Sequence, residues 1–153
     1  MNNITLRPYL PADITTVSEL FYDTVHTVNR RDYTDEQLDA WADGNIDHDK
    51  WNSSFLSSIT VIAEIDGIIV GFGDITHDGY LDRLYIHKEY QHIGIATAIC
   101  DYLENKTNSD KITTHASITA KPFFERRGYA VIKEQRVIRR NIALTNYIME
   151  KQI

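Results

Sequence analysis

"YLDRLYIHKEYQHIGIATAICDYLE", residues 80–104, changes its period halfway along. Its first seven residues are rich in aromatic and aliphatic side chains and read as a strand. From Ile95 onward, Ile95, Ala98, Ile99, Tyr102 and Leu103 recur at helical spacing, with Cys100 beside the stripe. Between the two runs lies a charged and aromatic turn with a single glycine, Gly94. A strand that turns directly into a helix leaves the first helical N–H groups without intrahelical partners, all at the positive end of the helix dipole. Such an end suits an anion. Gly94 lets a ligand approach the backbone with no Cβ in the way, and Ala96 is nearly as open. There is no G-K-[ST] ending and no G-x-G-x-x-G, so the turn is neither a nucleoside-triphosphate loop nor a dinucleotide fingerprint. The residues leave two readings: an ordinary helix-start turn, or a site for a different phosphate carrier.

Upstream, "TVIAEI", "IIVGFGDI" and "YLDRLYI" are joined by Asp66-Gly67 and Asp78-Gly79. Asp-Gly between β-rich runs predicts a tight hairpin with both central residues at positive φ, so a three-strand antiparallel meander is expected. Gly71 and Gly73 lie inside the middle strand, where close packing is the better reading. Ile4–Tyr9 reads as a first strand. A helix follows, capped by Asp13 and striped by Ile14, Val17, Leu20, Phe21, Val25 and Val28. Residues Tyr33 to Phe55 suggest short helices and loops, whose Trp41 and Trp51 either anchor a cap on the core or line a pocket. Downstream, "KITTHA" is a strand. "TAKPFFERRG" is a short helix with Pro122 in its first turn and Gly128 at its stop, and "YAVIKEQRVI" and "IALTNYIM" are strands.

At 153 residues and 42% apolar composition, one domain over 1–153 is expected. A net charge of -6 opposes non-specific nucleic-acid binding and mildly favours cationic substrates. The lone cysteine cannot close an intrachain disulfide and no leader pattern opens the sequence, so a cytoplasmic setting is expected. No apolar run reaches membrane-spanning length, and the six histidines form no ligand cluster, so neither membrane nor metal is expected.

Residues 80–104 resemble the acetyl-CoA-binding core of the GNAT N-acetyltransferases, whose signature [QR]-x-x-G-x-[GA] is matched by Gln91, Gly94 and Ala96. "SITAKPFFERRGY" resembles a later family block, and "LTNYIMEK" resembles the final strand of a bacterial subgroup of small acetyltransferases. The resemblance implies a mixed α/β fold with a mainly antiparallel central sheet flanked by helices, across essentially the whole chain. It implies acetyl-CoA as acetyl donor, with its pyrophosphate against the amides of His92, Ile93, Gly94, Ile95, Ala96 and Thr97. The acetyl and pantetheine groups would lie against a bulged fourth strand at Leu84, Tyr85 and Ile86. A direct attack by the amine follows, with no role for Cys100.

Many relatives protonate the departing thiolate with a tyrosine in N-x-x-A-x-x-x-Y. Here Ser117 takes the asparagine position, Ala120 matches, and Phe124 takes the tyrosine position. Phenylalanine donates no proton, though it can pack beside the pantetheine arm. A thiol pKa near about 8.5 lets the thiolate leave unaided; Tyr85 and Tyr129 are the alternative donors. For proton removal Asp82 is the first candidate, an acid amid an apolar strand, sharing a face with Tyr80 and Leu84 unless a bulge intervenes. His115 and His77 are alternative bases, and Tyr80 is counted with Asp82 and His115 as a candidate catalytic residue. Glu125 to Arg127 either meet the nucleotide's phosphates or form a solvated face. Residues Arg31 to Ser57 are read as a lid bringing Tyr33, Trp41 and Trp51 to a small-molecule primary amine. Polyamine-like compounds, amino sugars, amino acids and a peptide N-terminus all fit, and either a monomer or a homodimer does. The rival reading is a non-catalytic acyl-CoA-binding module.

Overall fold

In the computed structural model, which describes residues 3–153, the two Asp-Gly turns build the middle of the sheet in different ways. Strands β2 (Ile59–Ile65) and β3 (Ile68–Ile75) meet at Asp66 and Gly67, with φ of 51° and 78°, the two-residue turn that the pair predicts. Between β3 and β4 (Tyr80–Ile86) only Gly79 is left-handed, at φ 97°, and Thr76 N–H closes the loop on Tyr80 O at 2.9 Å. The second turn is thus one residue longer than a tight hairpin, and Asp78 keeps ordinary φ.

Among the described residues the sheet has seven strands in the order β1 (Thr5–Pro8), β2, β3, β4, β5 (Lys111–Ser117), β7 (Ile142–Gln152) and β6 (Ala130–Arg139). Every pairing is antiparallel except β4 with β5. The parallel step needs a crossover, and α4 (Ile95–Lys106) supplies it. On that face Ile95, Ile99 and Leu103 are buried with Leu81, Ile112 and Phe124. Burying each such side chain stabilises the fold by about 1.5–3 kcal/mol. Gly71 and Gly73 explain how closely α4 can lie: a Cβ at Gly73 would stand 2.9 Å from Ile99 Cγ2, and one at Gly71 3.1 Å from Ile95 Cγ2. Their packing role fixes the height of the helix start over the sheet.

The opposite face carries α1 (Ile14–Thr27), α2 (Asp35–Trp41) and α3 (His48–Ser57) over Ile62, Phe72 and Leu144. The predicted cap of α1 forms differently. Asp13 closes the 3-10 turn before the helix, accepting from Leu10 N–H at 2.8 Å and pairing with Arg7, and makes no bond to the helix itself. Thr34 caps α2 and Asp47 caps α3. Trp41 and Trp51 both pack into this layer.

The short α5 (Lys121–Arg126), stopped by Gly128 at φ 98°, joins α4 and β7 through Glu104. Burial opposes the charge of that carboxylate, yet bonds from Arg127 at 2.7 Å, Tyr129 at 2.8 Å and Lys151 at 3.1 Å outweigh it and hold its pKa below the ordinary 4.5. Glu104→Gln leaves Arg127 and Lys151 partly uncompensated and is expected to cost about 3 kcal/mol, or roughly 6–12 °C in Tm. Because the folded pKa is depressed, the wild-type contribution is present above the unfolded value and is lost as pH falls below 4.5. Thermal unfolding of both proteins at pH 7 and pH 3.5 checks this: the gap should shrink at the lower pH.

Candidate active site

β4 and β5 pair only at Tyr80–Thr113 and Leu81–Thr114, after which β4 continues against β3 and β5 against β7. Thr114 Oγ1 donates to Leu81 O at 2.8 Å and marks the last contact before the strands diverge. The wedge opens into a cavity of about 790 Å³ that runs from Leu84, Tyr85 and Ile86 to Gly94, Ala96 and Phe124. A second cavity, about 420 Å³, opens on the α1–α3 side between β4, α2 and β7. Trp41, Asp82, Tyr85, His115 and Ser117 line both, so the two spaces meet at the splay.

The strand-to-helix turn is held mainly by backbone bonds. His87 N–H reaches Val70 O at 2.8 Å and Tyr90 N–H reaches His87 O at 2.9 Å. Gln91, expected at the ligand, directs its side-chain amide to the carbonyls of Ile86 at 2.8 Å and His87 at 3.3 Å. Its side chain therefore braces the loop. His92 and Gly94 are left-handed at φ 61° and 94°, and the helix ladder first closes at Ala98 N–H to Gly94 O, 3.0 Å. The amides of Ile95, Ala96 and Thr97 precede that bond and lie outside the ladder. Ile95 contributes only its backbone here, since its side chain is in the core. A Cβ on Gly94 would meet no protein atom within 4 Å. The glycine therefore answers a backbone demand and leaves open space over the amides, a fit for a diphosphate.

The bulge on β4 falls at Asp82, between the pairs Asp74–Arg83 and Ile75–Leu81, and not within Leu84–Ile86 as expected. It inverts the strand's parity: Leu81, Leu84 and Ile86 all pack toward α4, whereas Tyr85 packs against α1. Tyr80 and Leu84 therefore do not share a face. The extra residue delivers the Asp82 carboxylate, 39% exposed, to the junction. Behind it, buried Asp74 accepts from Arg83 N–H at 2.9 Å and pairs with its guanidinium at 2.5 Å. Burial pushes the Asp74 carboxyl up to about 6, against the pull of Arg83 and with the push of Asp82. Arg83 also lies 3.6 Å from Asp82 and over the rings of Trp51, at 4.8 Å, and Phe55, at 4.9 Å.

Tyr80 and His115 stand edge to face at 5.3 Å, and both line the second cavity with Asp82. Asp82, Tyr80 and His115, the candidate catalytic residues, thus line one cavity. Burial, then the charges of Asp82 and Asp74, raises the Tyr80 phenol. Burial raises Tyr85 well above the ordinary phenol range, against the pull of Trp41 and Arg83, which makes it a poor proton donor to a thiolate. Tyr129 is bound to Glu104, outside both cavities, and does not replace the missing tyrosine. Phe124, 3% exposed, lines the first cavity at the expected place, and Ser117 Oγ accepts from Ala120 N–H at 3.0 Å. Arg127 is held by Glu104 and Asp101, whereas Arg126 lines the first cavity. His77 lines neither. Burial drives the Cys100 thiol up to about 12, too weak an acid for a nucleophile.

Tyr33 lines the second cavity, but its hydroxyl is fully engaged: it donates to Thr145 O at 2.7 Å and accepts from Ile118 N–H at 2.9 Å. It ties the segment before α2 across the ends of β5 and β7. Trp41 lines both cavities and stands edge-on to Tyr33 and Tyr85. Asn146, Arg83 and Arg139 also line the second cavity and were not singled out from sequence. Asn146 is a polar residue inside the apolar "IALTNYIM", which was the available signal. Among the described residues no group of His, Cys, Asp and Glu could hold a metal ion, and no helix is long and apolar enough to cross a membrane.

A mixed sheet that splays after its one parallel pairing, with a glycine-started helix at the wedge, defines an acyltransferase of the kind that the glycine turn resembles. The chain belongs to the acetyltransferase (GNAT) domain family, whose model matches residues 29–151. It is 37% identical over 150 residues to the uncharacterized N-acetyltransferase YafP of Escherichia coli (strain K12), covering 97% of this chain and 96% of that protein. A solved GCN5-related N-acetyltransferase from Rhodopseudomonas palustris superposes with a TM-score of 0.95 at 31% identity, over 100% of this chain and 98% of that one. The PaiA N-acetyltransferase from Thermoplasma acidophilum, solved in complex with coenzyme A, superposes at 0.80 over 99% of both chains. At 18% identity that last likeness concerns the fold alone.

Proposed function

We propose that this N-acetyltransferase moves the acetyl group of acetyl-CoA to the primary amine of a small molecule. In this reading the donor enters through the larger cavity and the amine through the smaller. The observation that carries it is the shared lining at Asp82, Tyr85, His115 and Ser117, since a direct transfer requires two ligands to touch end to end. The amides of Ile95, Ala96 and Thr97 hold the diphosphate, with Gly94 leaving room above them. Phe124 packs beside the pantetheine arm. Acetyl-CoA supplies a thioester carbon open to attack by a neutral amine. Asp82 takes the ammonium proton, with His115 as the alternative base beside it, and Trp41 closes the acceptor side. No side chain is assigned to protonate the sulfur, which leaves as thiolate.

Thermal unfolding with and without acetyl-CoA tests the donor site. At a hundred times its dissociation constant a ligand of the native state adds about 2.7 kcal/mol, so Tm should rise by roughly 5–10 °C. No rise at millimolar acetyl-CoA would remove this reading.

A further inference from the structure

We propose that the acceptor carries an anionic group in addition to its amine, with Asn146 receiving the amine end and Arg139 the anionic end. The proposal rests on the acceptor-site reading given above. Among the polar side chains of the second cavity, two of opposite kinds make no hydrogen bond or ion pair with the described residues. Asn146 Oδ1 is buried and accepts no hydrogen bond. A buried acceptor left unmade is unfavourable, and a donor arriving with the ligand relieves it. Its register neighbour across the sheet is Ser117, which lines both cavities. The register thus places Asn146 beside a residue of the junction at which the two cavities meet. Asp82, at the same junction, adds negative charge there.

Arg139 lines the same cavity from the hairpin end of the β6–β7 ribbon. On β6, Gln135 pairs with Asn146, Val137 with Leu144 and Arg139 with Ile142, so these pairs share one face of the β6–β7 ribbon. Arg139 lies four steps along the strand from Gln135, about 13 Å, which the long arginine side chain shortens. Val137 and Leu144 form an apolar floor between the two polar ends. Among the described residues Arg139 makes no ion pair, in contrast to Arg83, which is held by Asp74 and Asp82. Arg139 lines this cavity together with Tyr80 and Asp82. A free guanidinium fork selects carboxylate or phosphate. The same charge repels the second ammonium of a polyamine, which sets this acceptor class apart from the other amines compatible with the sequence.

The test compares initial rates of acetylation for matched acceptors: leucine against isoamylamine for a carboxylate, and phosphoethanolamine against ethanolamine for a phosphate. The wild-type protein should favour one anionic member over its neutral partner by at least 10-fold in kcat/KM, and the pair that shows it identifies the anion. Arg139→Gln should collapse that ratio by raising KM for the anionic acceptor, and Arg139→Lys should restore part of it. Asn146→Leu should raise KM for both members of a pair. Neutral amines acetylated as well as the anionic ones, or a ratio indifferent to Arg139→Gln, would overturn the proposal and leave acetyl transfer standing. No acetylation of any member, with the acetyl-CoA-induced rise in Tm intact, would remove both.

Discussion

Gly94→Val is expected to fold and yet lose the rise in Tm that acetyl-CoA gives the parent, with kcat/KM down by more than about 100-fold. Gly94 holds φ at 94°, a conformation that a β-branched residue resists by about 1–3 kcal/mol. The protein itself offers space for the new side chain, since nothing lies within 4 Å of a Cβ there. Damage to the fold should therefore be a lowered Tm and not collapse, because α4 stays anchored by Ile95, Ile99 and Leu103. The isopropyl group would occupy the space over the free amides of Ile95 to Thr97, and a shifted backbone would aim those amides elsewhere. Gly94→Ala should fall between the two. Melting curves with and without acetyl-CoA separate the effects: a lowered Tm alone reports strain, whereas an undiminished ligand shift would contradict the loop reading.

Asp82→Asn should lower the rate of amine acetylation by about 10²–10⁴-fold at neutral pH, the range that a positioned base supplies, with KM for acetyl-CoA little changed. Asparagine keeps the size of the side chain and a polar contact to Arg83, and the anchor from Asp74 to Arg83 does not pass through it. The variant rate should climb with pH as solvent deprotonates the amine, which would recover part of the loss. Initial rates across pH for Asp82→Asn, His115→Gln and the parent check this. A loss confined to His115→Gln would move the base to the histidine, and an unchanged Asp82→Asn profile would exclude the carboxylate.

The element order was legible because period and turn chemistry agreed. Asp66-Gly67 announced its hairpin, the stripe of Ile95, Ile99 and Leu103 announced the crossover helix, and Gly128 marked a helix end. Gly94 was legible for the same reason, as one glycine at a seam between two periods. The bulge at Asp82 was not, because an extra residue shifts the register without leaving a residue type behind, and so the parity of Tyr80 and Leu84 could not be read from alternation. Gln91 matches the family signature by letter, but only the carbonyls of Ile86 and His87 reveal that its side chain serves the turn. The acceptor side depended on long-range pairing. Asn146 meets Ser117 only once β5 and β7 are in register, and Arg139 joins Tyr80 in one cavity lining only once β6 folds back on β7. Tyr33 lines this space, and the two bonds that engage its hydroxyl come from the turn after β5 and from β7, 85 and 112 residues away.

The most direct test of the central claim, transfer between two ligands meeting at the splay, is release of coenzyme A thiol from acetyl-CoA on adding primary amines, with the product identified by mass. The account predicts amine-dependent thiol release, one acetyl group gained by the amine, and intersecting initial-rate lines when both substrates are varied. Tight binding of acetyl-CoA with no amine able to stimulate thiol release would contradict it and make the domain a coenzyme-binding module.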